Sequence, residues 1–301
     1  MKKILLADSL DKEAIDKLKA LPQFDVSLKT GQDEAGLVET IPGFHAVVVR
    51  SATKITRKVI EAARDLELIV RAGIGLDNID CEAAREKGVE VANTPAATSI
   101  SVAEHTFGLM LAAVRQHGRA NLSMKEHKWE KKALSGTELY GKTLGLIGLG
   151  RIGREVAKRA LAFGMRVVAY DIIKIEADLD VKQVSFAELL AQADIISLHL
   201  PLTKDAKHMI GRPEFERMRD GVIVVNAARG GIVDEAALLE ALNSGKVRAA
   251  AVDVFEKEPP VDYGLIDHPN VIATPHIGAA AEEGQKRAGL EVVKILQERL
   301  G

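Results

Sequence analysis

Short apolar runs alternate along this chain with longer stretches whose apolar residues repeat with the period of a helix. We predict ten strands from these runs, at residues 4–7, 46–49, 68–71, 89–92, 144–147, 167–170, 195–198, 222–225, 250–254 and 271–273. Most of the runs are apolar without alternation, which is typical of parallel strands covered by helices on both faces. The pattern therefore predicts an α/β protein built from parallel βα units.

The predicted strands fall into two groups, which indicates two sheets. Four strands lie before residue 95 and six after residue 140, with a helical stretch at about 99–114 between the groups. The length of 301 residues also fits two domains, at about 100–200 residues for each. A last helical stretch at 282–300 has an apolar face, so we expect it to pack on one of these domains.

Composition and charge point to a small-molecule partner. The chain has 41 Lys and Arg against 43 Asp and Glu, a net charge of −2, and this balance gives no electrostatic reason to expect nucleic acid or a membrane surface. No apolar run approaches the ~20 residues needed to span a bilayer. With Cys81 as the one cysteine, no internal disulfide can form, so we expect a cytoplasmic location; a role for Cys81 is left open.

Polar or glycine-rich segments follow nearly every predicted strand. They lie at residues 8–9, 50–51, 72–73, 93–94, 148–153, 171, 199, 226–229, 256–258 and 275–276. In open α/β sheets, ligands bind at the carboxyl ends of the strands. We therefore expect the chemistry of this protein in these segments.

The segment GLGRIG, residues 148–153, directly follows a predicted strand and precedes a helical stretch. Gly148 permits a tight turn, Gly150 lets a pyrophosphate approach the backbone, and Gly153 lets the helix pack on the strand. The helix N-terminus then offers unpaired amides and a favourable dipole to the anion. This context predicts a dinucleotide-binding domain.

Asp171 ends the next predicted strand, 18 residues after Gly153. An acidic residue at this place can accept hydrogen bonds from both hydroxyls of a ribose, and its charge repels a 2′-phosphate. We therefore expect NAD rather than NADP. The alternative is an acid that is merely exposed in a loop.

Three side chains near strand ends could carry hydride-transfer chemistry. Such a reaction needs a base for the hydroxyl proton, a group that strengthens the base, and an anchor for the substrate. His276 is the candidate base because histidine titrates nearest neutral pH. Glu258 is a candidate to orient the ring and raise its pKa, and Arg229 to clamp a carboxylate through its planar fork. Each could instead be an ordinary surface or turn residue, and spacing alone leaves that open.

Six motifs, in their order along the chain, resemble a known family. They are GLGRIG, Asp171, HLPLT at 199–203, NAARGGIVDE at 226–235, DVFEKEP at 253–259 and TPHIG at 274–278. They are similar to those of the D-isomer-specific 2-hydroxyacid dehydrogenases, and the similarity covers essentially the whole chain. The resemblance implies that Arg229, Glu258 and His276 are the catalytic residues, with NAD as cofactor and no metal ion.

The resemblance also implies which residues contact NAD and substrate. The NAD contacts are Ile74, Gly148, Gly150, Arg151, Ile152, Gly153, Asp171, Leu200, Pro201, Ala227, Arg229, Asp253, His276 and Gly278. The substrate contacts are Arg50, Ser51, Gly73, Ile74, Gly75, Arg229 and His276.

The family fold implies two doubly wound parallel-sheet domains. A flavodoxin-like substrate domain would span residues 1–94, with 275–301 returning to it, and a Rossmann NAD-binding domain would span 95–274, with the active site between them. The family also implies a homodimer or homotetramer in which the region 99–134 packs across subunits. The candidates for that interface, or for the internal core, are Trp129, Phe107, Met110, Leu111 and Val114.

The amino-terminal half resembles the branch of this family that oxidises 3-phospho-D-glycerate to 3-phosphohydroxypyruvate, the first step of serine biosynthesis. Its motifs are RSATKIT at 50–56, RAGIGLDNID at 71–80, NTPAATSISVAEHTFGLMLA at 93–112 and KWEKKALSGTELYGKTLGLIGLGRIG at 128–153. The sequence departs from the branch at 130–134, which lacks the usual arginine and phenylalanine, and at Thr98, which replaces an asparagine. It also lacks the carboxyl-terminal regulatory domains of longer enzymes, so feedback inhibition by serine through such a domain is not expected.

Other functions remain open at this point. A glyoxylate or hydroxypyruvate reductase, or a broad D-2-hydroxyacid dehydrogenase, would use the same catalytic set. Positive charge for a phosphate separates these activities, and Arg50, Lys131 and Lys132 are the candidates for it. An NAD-sensing, corepressor-like binding protein is a remote alternative, because binding alone would not need the three catalytic residues.

Overall fold

The computed structural model of the chain describes residues 1–175 and 179–301. These residues form two compact units. Unit 1 contains residues 1–101 and 279–301, and unit 2 contains residues 102–278.

Unit 1 is built on a parallel sheet. Its described strands are β1 (Lys2–Leu6), β2 (Phe24–Leu28), β3 (Ala46–Val49), β4 (Leu68–Arg71) and β5 (Glu90–Asn93). The strand order is β2-β1-β3-β4-β5 and every pairing is parallel, which is the order of flavodoxin-like folds. The helices of this unit are α1 (Lys12–Ala20), α2 (Glu34–Thr40), α3 (Arg57–Ala62), α4 (Cys81–Glu86) and the terminal α11 (Glu282–Leu300).

The terminal helix α11 packs on unit 1 because its apolar face is buried there. Ala288, Val292 and Leu296 are almost fully buried and share a core cluster with residues of β1 and β3. Gly289 allows a close approach to α1, since a Cβ added to it would lie 2.7 Å from the Cβ of Ala14. The prediction that this helix packs on one of the domains is confirmed.

Unit 2 is built on a second parallel sheet. Its described strands are β6 (Thr143–Ile147), β7 (Arg166–Tyr170), β8 (Val181–Gln183), β9 (Ile195–Leu198), β10 (Val222–Asn226), β11 (Val247–Val252) and β12 (Val271–Ala273). The strand order is β12-β11-β10-β9-β6-β7-β8, all parallel. Counted from β6, this is the Rossmann order 3-2-1-4-5-6 with one further strand. The helices are α5 (Ser99–Arg115), which begins in unit 1, α6 (His117–Lys125), α7 (Arg151–Ala162), α8 (Phe186–Gln192), α9 (Arg212–Arg217) and α10 (Glu235–Asn243).

The predicted fold class, two doubly wound parallel-sheet domains, is confirmed. The prediction missed two strands, β2 and β8, and both lie at the edge of a sheet. In β2, buried Phe24 is followed by exposed Asp25, and β8 is only three residues long. These two strands therefore lack the continuous apolar run by which the other strands were recognised.

Most of the apolar residues of α5 belong to the core of unit 2. Phe107, Met110 and Val114 are at most 5% exposed, and Leu111 packs against the same cluster. These four residues are therefore internal, whereas the side chain of Trp129 is 78% exposed. Among the described residues, no helix combines the length and the apolar character needed to cross a membrane.

Candidate active site

The predicted site residues of unit 2 lie at the carboxyl ends of the strands of its sheet. Parallel strands place all their carboxyl ends on the same side. The predicted residues that follow β6, β9 and β10 are Gly148, Gly150, Arg151, Ile152, Gly153, Leu200, Pro201, Ala227 and Arg229. Those that follow β7, β11 and β12 are Asp171, Asp253, Glu258, His276 and Gly278.

The glycine loop after β6 is held by close backbone packing. Gly148 has a φ of +97°, and a Cβ on it would lie 2.4 Å from the carbonyl oxygen of His199. A Cβ on Gly153 would lie 2.3 Å from the carbonyl oxygen of Gly148. At Gly150, by contrast, a Cβ would meet nothing within 4 Å, and this glycine is the N-cap of α7 without any side-chain cap. The first turn of α7 thus faces open space with uncapped amides, which fits the pyrophosphate of a dinucleotide.

Asp171 is positioned beside this loop. Its Oδ2 accepts a hydrogen bond of 2.9 Å from the backbone N–H of Leu149, and its Oδ1 accepts one of 3.3 Å from Ile173. Each carboxylate oxygen keeps lone-pair capacity for a further donor. The arrangement therefore fits the two hydroxyls of a ribose.

His199 lies beneath the glycine loop and is neutral. Burial lowers the pKa of His199 to about 3, since a charged imidazole would lose its hydration. Its Nε2 is 2.9 Å from the Oγ of Ser197. His199 therefore packs beside the loop and stays a neutral imidazole near neutral pH.

The side chains of His276 and Glu258 form a direct pair. Nδ1 of His276 lies 2.7 Å from Oε2 of Glu258. Burial alone would raise the pKa of Glu258, but hydrogen bonds from His276 and from the N–H of Phe255, and the charges of His276 and Arg229, hold it below its ordinary value. Glu258 is therefore a carboxylate near neutral pH. Because a carboxylate only accepts hydrogen bonds, Nδ1 carries the hydrogen and Nε2 of the neutral ring has a free lone pair.

This pairing raises the pKa of His276. The hydrogen bond to Glu258 is the largest cause, burial opposes it, and the negative charges of Glu258 and Asp253 add to it. The positive charge of Arg229 acts in the opposite direction. The imidazole is thus a stronger base than an isolated histidine, while Arg229 brings a positive charge close to the same place.

Tight packing holds the Arg229 turn against the loop that carries Glu258. A Cβ added to Gly230 would lie 1.8 Å from the carbonyl oxygen of Phe255, so no other residue fits there without moving the two segments apart. Nη1 of Arg229 donates to the carbonyl oxygen of Ala228 at 2.7 Å. The guanidinium is half-buried and close enough to act on the pKa of both members of the acid–base pair.

A buried carboxylate, that of Asp253, organises the turn that carries His276. Its Oδ1 accepts from the Oγ1 of Thr274 at 2.6 Å and from the N–H of Ile277 at 2.9 Å, and its Oδ2 accepts from the N–H of Gly278 at 2.8 Å. Its backbone carbonyl accepts from the N–H of His276. These contacts hold His276 at a φ of +53°, a left-handed conformation that tertiary structure must impose on a non-glycine residue.

Hydrogen bonding also keeps Asp253 charged. Burial would raise the pKa of this carboxyl, yet the hydrogen bonds from His105, Thr274 and the two turn amides lower it. Nε2 of His105 lies 3.3 Å from Oδ1 of Asp253 and 3.2 Å from Oγ1 of Thr274. Asp253 was predicted as a contact of NAD, and the structure additionally gives it this role within the turn.

Two supporting residues were not predicted as site residues. His105 lies inside α5 between Glu104 and Thr106, and no feature of the sequence distinguishes it as a site residue. Asn226 ends β10 and is 3% exposed; it donates to the carbonyl oxygen of Arg229 at 3.0 Å and accepts from the N–H of Ala228 at 3.1 Å. His105 contacts the side chain of Asp253, whereas Asn226 binds the backbone beside Arg229; both Asp253 and Arg229 were predicted.

The remaining predicted site residues lie in unit 1. Arg50 and Ser51 follow β3, and Gly73, Ile74 and Gly75 follow the neighbouring β4. Nδ2 of Asn93 donates to the carbonyl oxygen of Ile74 at 2.5 Å. In the described part of the chain, no group of three or more His, Cys, Asp and Glu side chains is arranged to hold a metal ion.

Comparison with known proteins assigns the family. The family model described as "D-isomer specific 2-hydroxyacid dehydrogenase, NAD binding domain" matches residues 107–278, more than half of the chain. In solved structures, a D-lactate dehydrogenase from Aquifex aeolicus, complexed with NAD and lactic acid, matches with a TM-score of 0.85 and 32% identity, covering 98% of this chain and 94% of that one.

Curated relatives are more similar in sequence. A hydroxypyruvate reductase of Thermotoga maritima is 54% identical over 98% of this chain and 97% of its own length. A D-3-phosphoglycerate dehydrogenase of Methanocaldococcus jannaschii is 51% identical over 100% of this chain, which spans 58% of the length of that relative. NAD binding, predicted from the glycine loop, is confirmed by the family model. The chain belongs to the D-isomer-specific 2-hydroxyacid dehydrogenases, a family of NAD-dependent oxidoreductases.

Proposed function

We propose that this protein transfers a hydride between a D-2-hydroxyacid and NAD, with Arg229, Glu258 and His276 as its catalytic residues. The observation that carries the proposal is the 2.7 Å contact between His276 Nδ1 and Glu258 Oε2. It leaves Nε2 of a strengthened base available, and the side chain of His276 is 42% exposed. A general acid–base residue needs both this proton affinity and this access.

In the direction of oxidation, Nε2 of His276 takes the proton of the substrate hydroxyl. The positive charge that the imidazole gains is stabilised by the Glu258 carboxylate, which stays ionised. In the direction of reduction, the same Nε2 returns the proton to the carbonyl oxygen. NAD, when bound, supplies the hydride acceptor.

Arg229 anchors the acid. Its planar guanidinium can bind a carboxylate through two parallel hydrogen bonds. Its half-buried position and its electrostatic effect on both Glu258 and His276 support a location beside the proton transfer. The same charge favours the polarised 2-oxygen of the substrate.

The NAD-binding residues in this proposal are those predicted from the sequence. Gly150, with Arg151 and Ile152 in the first turn of α7, would bind the pyrophosphate, and Asp171 the adenosine ribose. The other contacts are Ile74, Gly148, Gly153, Leu200, Pro201, Ala227, Arg229, Asp253, His276 and Gly278.

We propose 3-phospho-D-glycerate as the first candidate substrate, which would make the reaction the first step of serine biosynthesis. The similarity of the whole chain to 58% of the length of a D-3-phosphoglycerate dehydrogenase supports it. Arg50 supports it as well: its guanidinium is half-buried, and none of the described residues forms an ion pair with it. A partly buried cation without a counter-charge favours an anionic ligand. Arg71 differs, because it donates to the carbonyl oxygen of Gly75 and lies 3.9 Å from Asp77.

Hydroxypyruvate is the second candidate substrate. It is favoured by the similarity to a hydroxypyruvate reductase that this chain covers almost completely. Both candidates use the same acid–base pair and the same arginine clamp. Apart from the oxidation state of C2, which the reaction itself interconverts, they differ by one phosphate, so positive charge beside the substrate decides between them.

We also infer a homodimer or homotetramer. Leu122 and Met124 of α6 and the following Trp129 are 56%, 54% and 78% exposed. Three large apolar side chains within eight residues are an unusual surface for a monomer and typical of a subunit interface.

The substrate proposal is tested by comparing kcat/KM for 3-phospho-D-glycerate, D-glycerate and D-lactate, and for hydroxypyruvate and glyoxylate in reverse. We expect a preference of about 100-fold or more for the phosphorylated acid. Arg50→Gln should reduce that preference by about 10- to 100-fold, since a hydrogen bond to a charged group contributes about 1.5–3 kcal/mol. Lys54→Gln, at an exposed cation four residues further along the chain, is the matched control. Equal or higher kcat/KM for the substrates without the phosphate would favour hydroxypyruvate, the second candidate substrate.

Removing the carboxylate beside His276 should shift the pH dependence. Glu258→Gln deletes the largest cause of the raised pKa of His276. Oxidation requires the neutral ring, so its rise with pH should move to lower pH. Reduction requires the protonated ring, so its loss with rising pH should also move to lower pH. We expect kcat to fall by about tenfold or more. The matched control is Glu256→Gln, because the side chain of Glu256 pairs with His208 instead. If the pH–rate profile of Glu258→Gln does not move, Glu258 is not the partner of His276.

Charge at Asp171 should decide the choice of cofactor. Asp171→Asn keeps the shape of the side chain but removes the charge that repels a 2′-phosphate. We expect the ratio of kcat/KM for NAD to kcat/KM for NADP to fall by about tenfold or more. The KM for NAD should rise and the KM for NADP should fall. Asp180→Asn, an exposed acid in the same part of unit 2, should leave the ratio unchanged. An unaltered ratio in Asp171→Asn would refute the ribose contact.

Charge introduced into the exposed apolar set should weaken subunit association. We expect wild-type protein to be a dimer or larger by light scattering or sedimentation, and Trp129→Glu with Leu122→Glu to shift it toward the monomer. The control is Val261→Glu, at a residue that is 70% exposed outside this set. A monomeric wild type, or an unchanged double variant, would be evidence against this interface.

A further inference from the structure

We propose that Asp8, Thr53 and Asn78 are positioning residues that hold the turn of residues 50–53 and thereby set the affinity for the 2-hydroxyacid. The inference rests on the proposed function, in which Arg50 and Ser51 of this turn bind the substrate. None of the three positioning residues was predicted to touch substrate or cofactor. They lie after β1, β3 and β4, which are neighbours in the sheet of unit 1.

Asp8 binds the donors of the turn. Its Oδ2 accepts from the N–H of Arg50 at 2.6 Å and from the N–H of Thr53 at 3.2 Å, and its Oδ1 accepts from the Oγ1 of Thr53 at 2.8 Å. Asp8 and Thr53 are 7% and 6% exposed. Charge-assisted hydrogen bonds of this kind, made away from water, are among the strongest in proteins.

Asn78 binds the acceptors of the same turn. Its Nδ2 donates to the carbonyl oxygens of Arg50 at 2.8 Å and of Thr53 at 2.6 Å. Because both partners are carbonyl oxygens, only the NH₂ side of the amide can face them. The N–H and the C=O of Arg50 are thus both bound by side chains from other segments.

The backbone alone does not supply these contacts. The turn connects β3 to α3, and regular pairing resumes only at Ile55, whose N–H donates to the carbonyl oxygen of Asn78 and which forms an isolated bridge with Ile79. Without Asp8 and Asn78, the polar groups of Arg50 and Thr53 would be left to water. The turn would then sample several conformations.

A turn that is already ordered in the free protein increases affinity, because its conformational entropy is lost on folding and not when the substrate binds. None of the described residues forms an ion pair with the guanidinium of Arg50. The contacts that position Arg50 are therefore the hydrogen bonds to its backbone N–H and C=O. Loosening the turn should weaken binding of the acid. Proton transfer depends on His276 and Glu258 in unit 2 and should be affected far less. A rise in KM with little change in kcat is therefore the signature of this role.

Thr53 offers an isosteric test. Thr53→Val keeps the volume and removes the hydroxyl that donates to Asp8, whereas Thr53→Ser keeps the hydroxyl. Asn78→Asp, a second variant, places a carboxylate against two carbonyl oxygens. The matched control is Gln32→Leu, because Nε2 of Gln32 likewise makes two hydrogen bonds in unit 1, to Gly36 and Thr40, without contacting this turn.

We expect Thr53→Val and Asn78→Asp to raise KM for the preferred 2-hydroxyacid by about tenfold, equivalent to about 1.4 kcal/mol, with kcat and KM for NAD within about twofold of wild type. Thr53→Ser and Gln32→Leu should behave as wild type. Hydrogen exchange of the amides of Arg50 and Thr53, measured without turnover, should be faster in Asp8→Asn, Thr53→Val and Asn78→Asp.

Absence of the proposed activity and absence of the positioning role would give different results. A wild-type enzyme that turns over no 2-hydroxyacid refutes the proposed function, and hydrogen exchange still reports whether the turn is held. An active wild type with unchanged KM in Thr53→Val and Asn78→Asp overturns the positioning role. So does an equal rise of KM in Gln32→Leu, because the effect would then be general destabilisation of unit 1.

Discussion

Parallel strand pairing is the constraint on which the rest of this structure depends. Every pairing in both sheets is parallel, so each strand must be followed by a crossover, and each crossover begins at the same edge of its sheet. In unit 2, the carboxyl ends of the strands carry the glycine loop, Asp171, Arg229 and His276. In unit 1, the carboxyl ends of the strands carry the Arg50 turn and the Gly73–Gly75 segment. Residues that are far apart in sequence come together within each unit because the parallel strands that precede them all end on the same side of the sheet.

Buried polar side chains convert these strand ends into defined turns. Asp253 holds the His276 turn, Asn226 holds the Arg229 turn, and Asp8 with Asn78 holds the Arg50 turn. In each case the side chain binds backbone groups that lie beyond the reach of the strand ladder. A buried backbone group without a partner would cost about 1–3 kcal/mol. The same contacts that avoid this cost also fix the direction of the residue that follows.

The acid–base pair depends on opposing electrostatic effects. Burial disfavours the charged forms of both Glu258 and His276. In His276 the hydrogen bond to Glu258 is the larger effect, and in Glu258 that bond outweighs burial only together with the N–H of Phe255 and the nearby positive charges. Arg229 keeps Glu258 ionised and opposes the protonation of His276. Its charge thus limits how basic the imidazole becomes. The three residues form one electrostatic unit although they follow three different strands.

The amino-acid sequence by itself determined the α/β class, the two sheets, the glycine loop with Asp171, and the polar segments after the central strands. These features are local, because a continuous apolar run and a glycine turn can be recognised from neighbouring residues. The strands β2 and β8 were missed because exposed polar residues interrupt β2 and β8 has only three residues, so neither contains a continuous apolar run. Only the tertiary structure decided which side chains meet: the contact of His276 with Glu258 and the burial of Phe107, Met110 and Val114. It likewise decided the attachment of α11 to unit 1 and the binding of the Arg50 turn by Asp8 and Asn78. The hydrogen-bonded pairs among them join residues 18 to 45 positions apart and the packing of α11 joins opposite ends of the chain, so these hydrogen bonds and this burial exist only after the strands have paired.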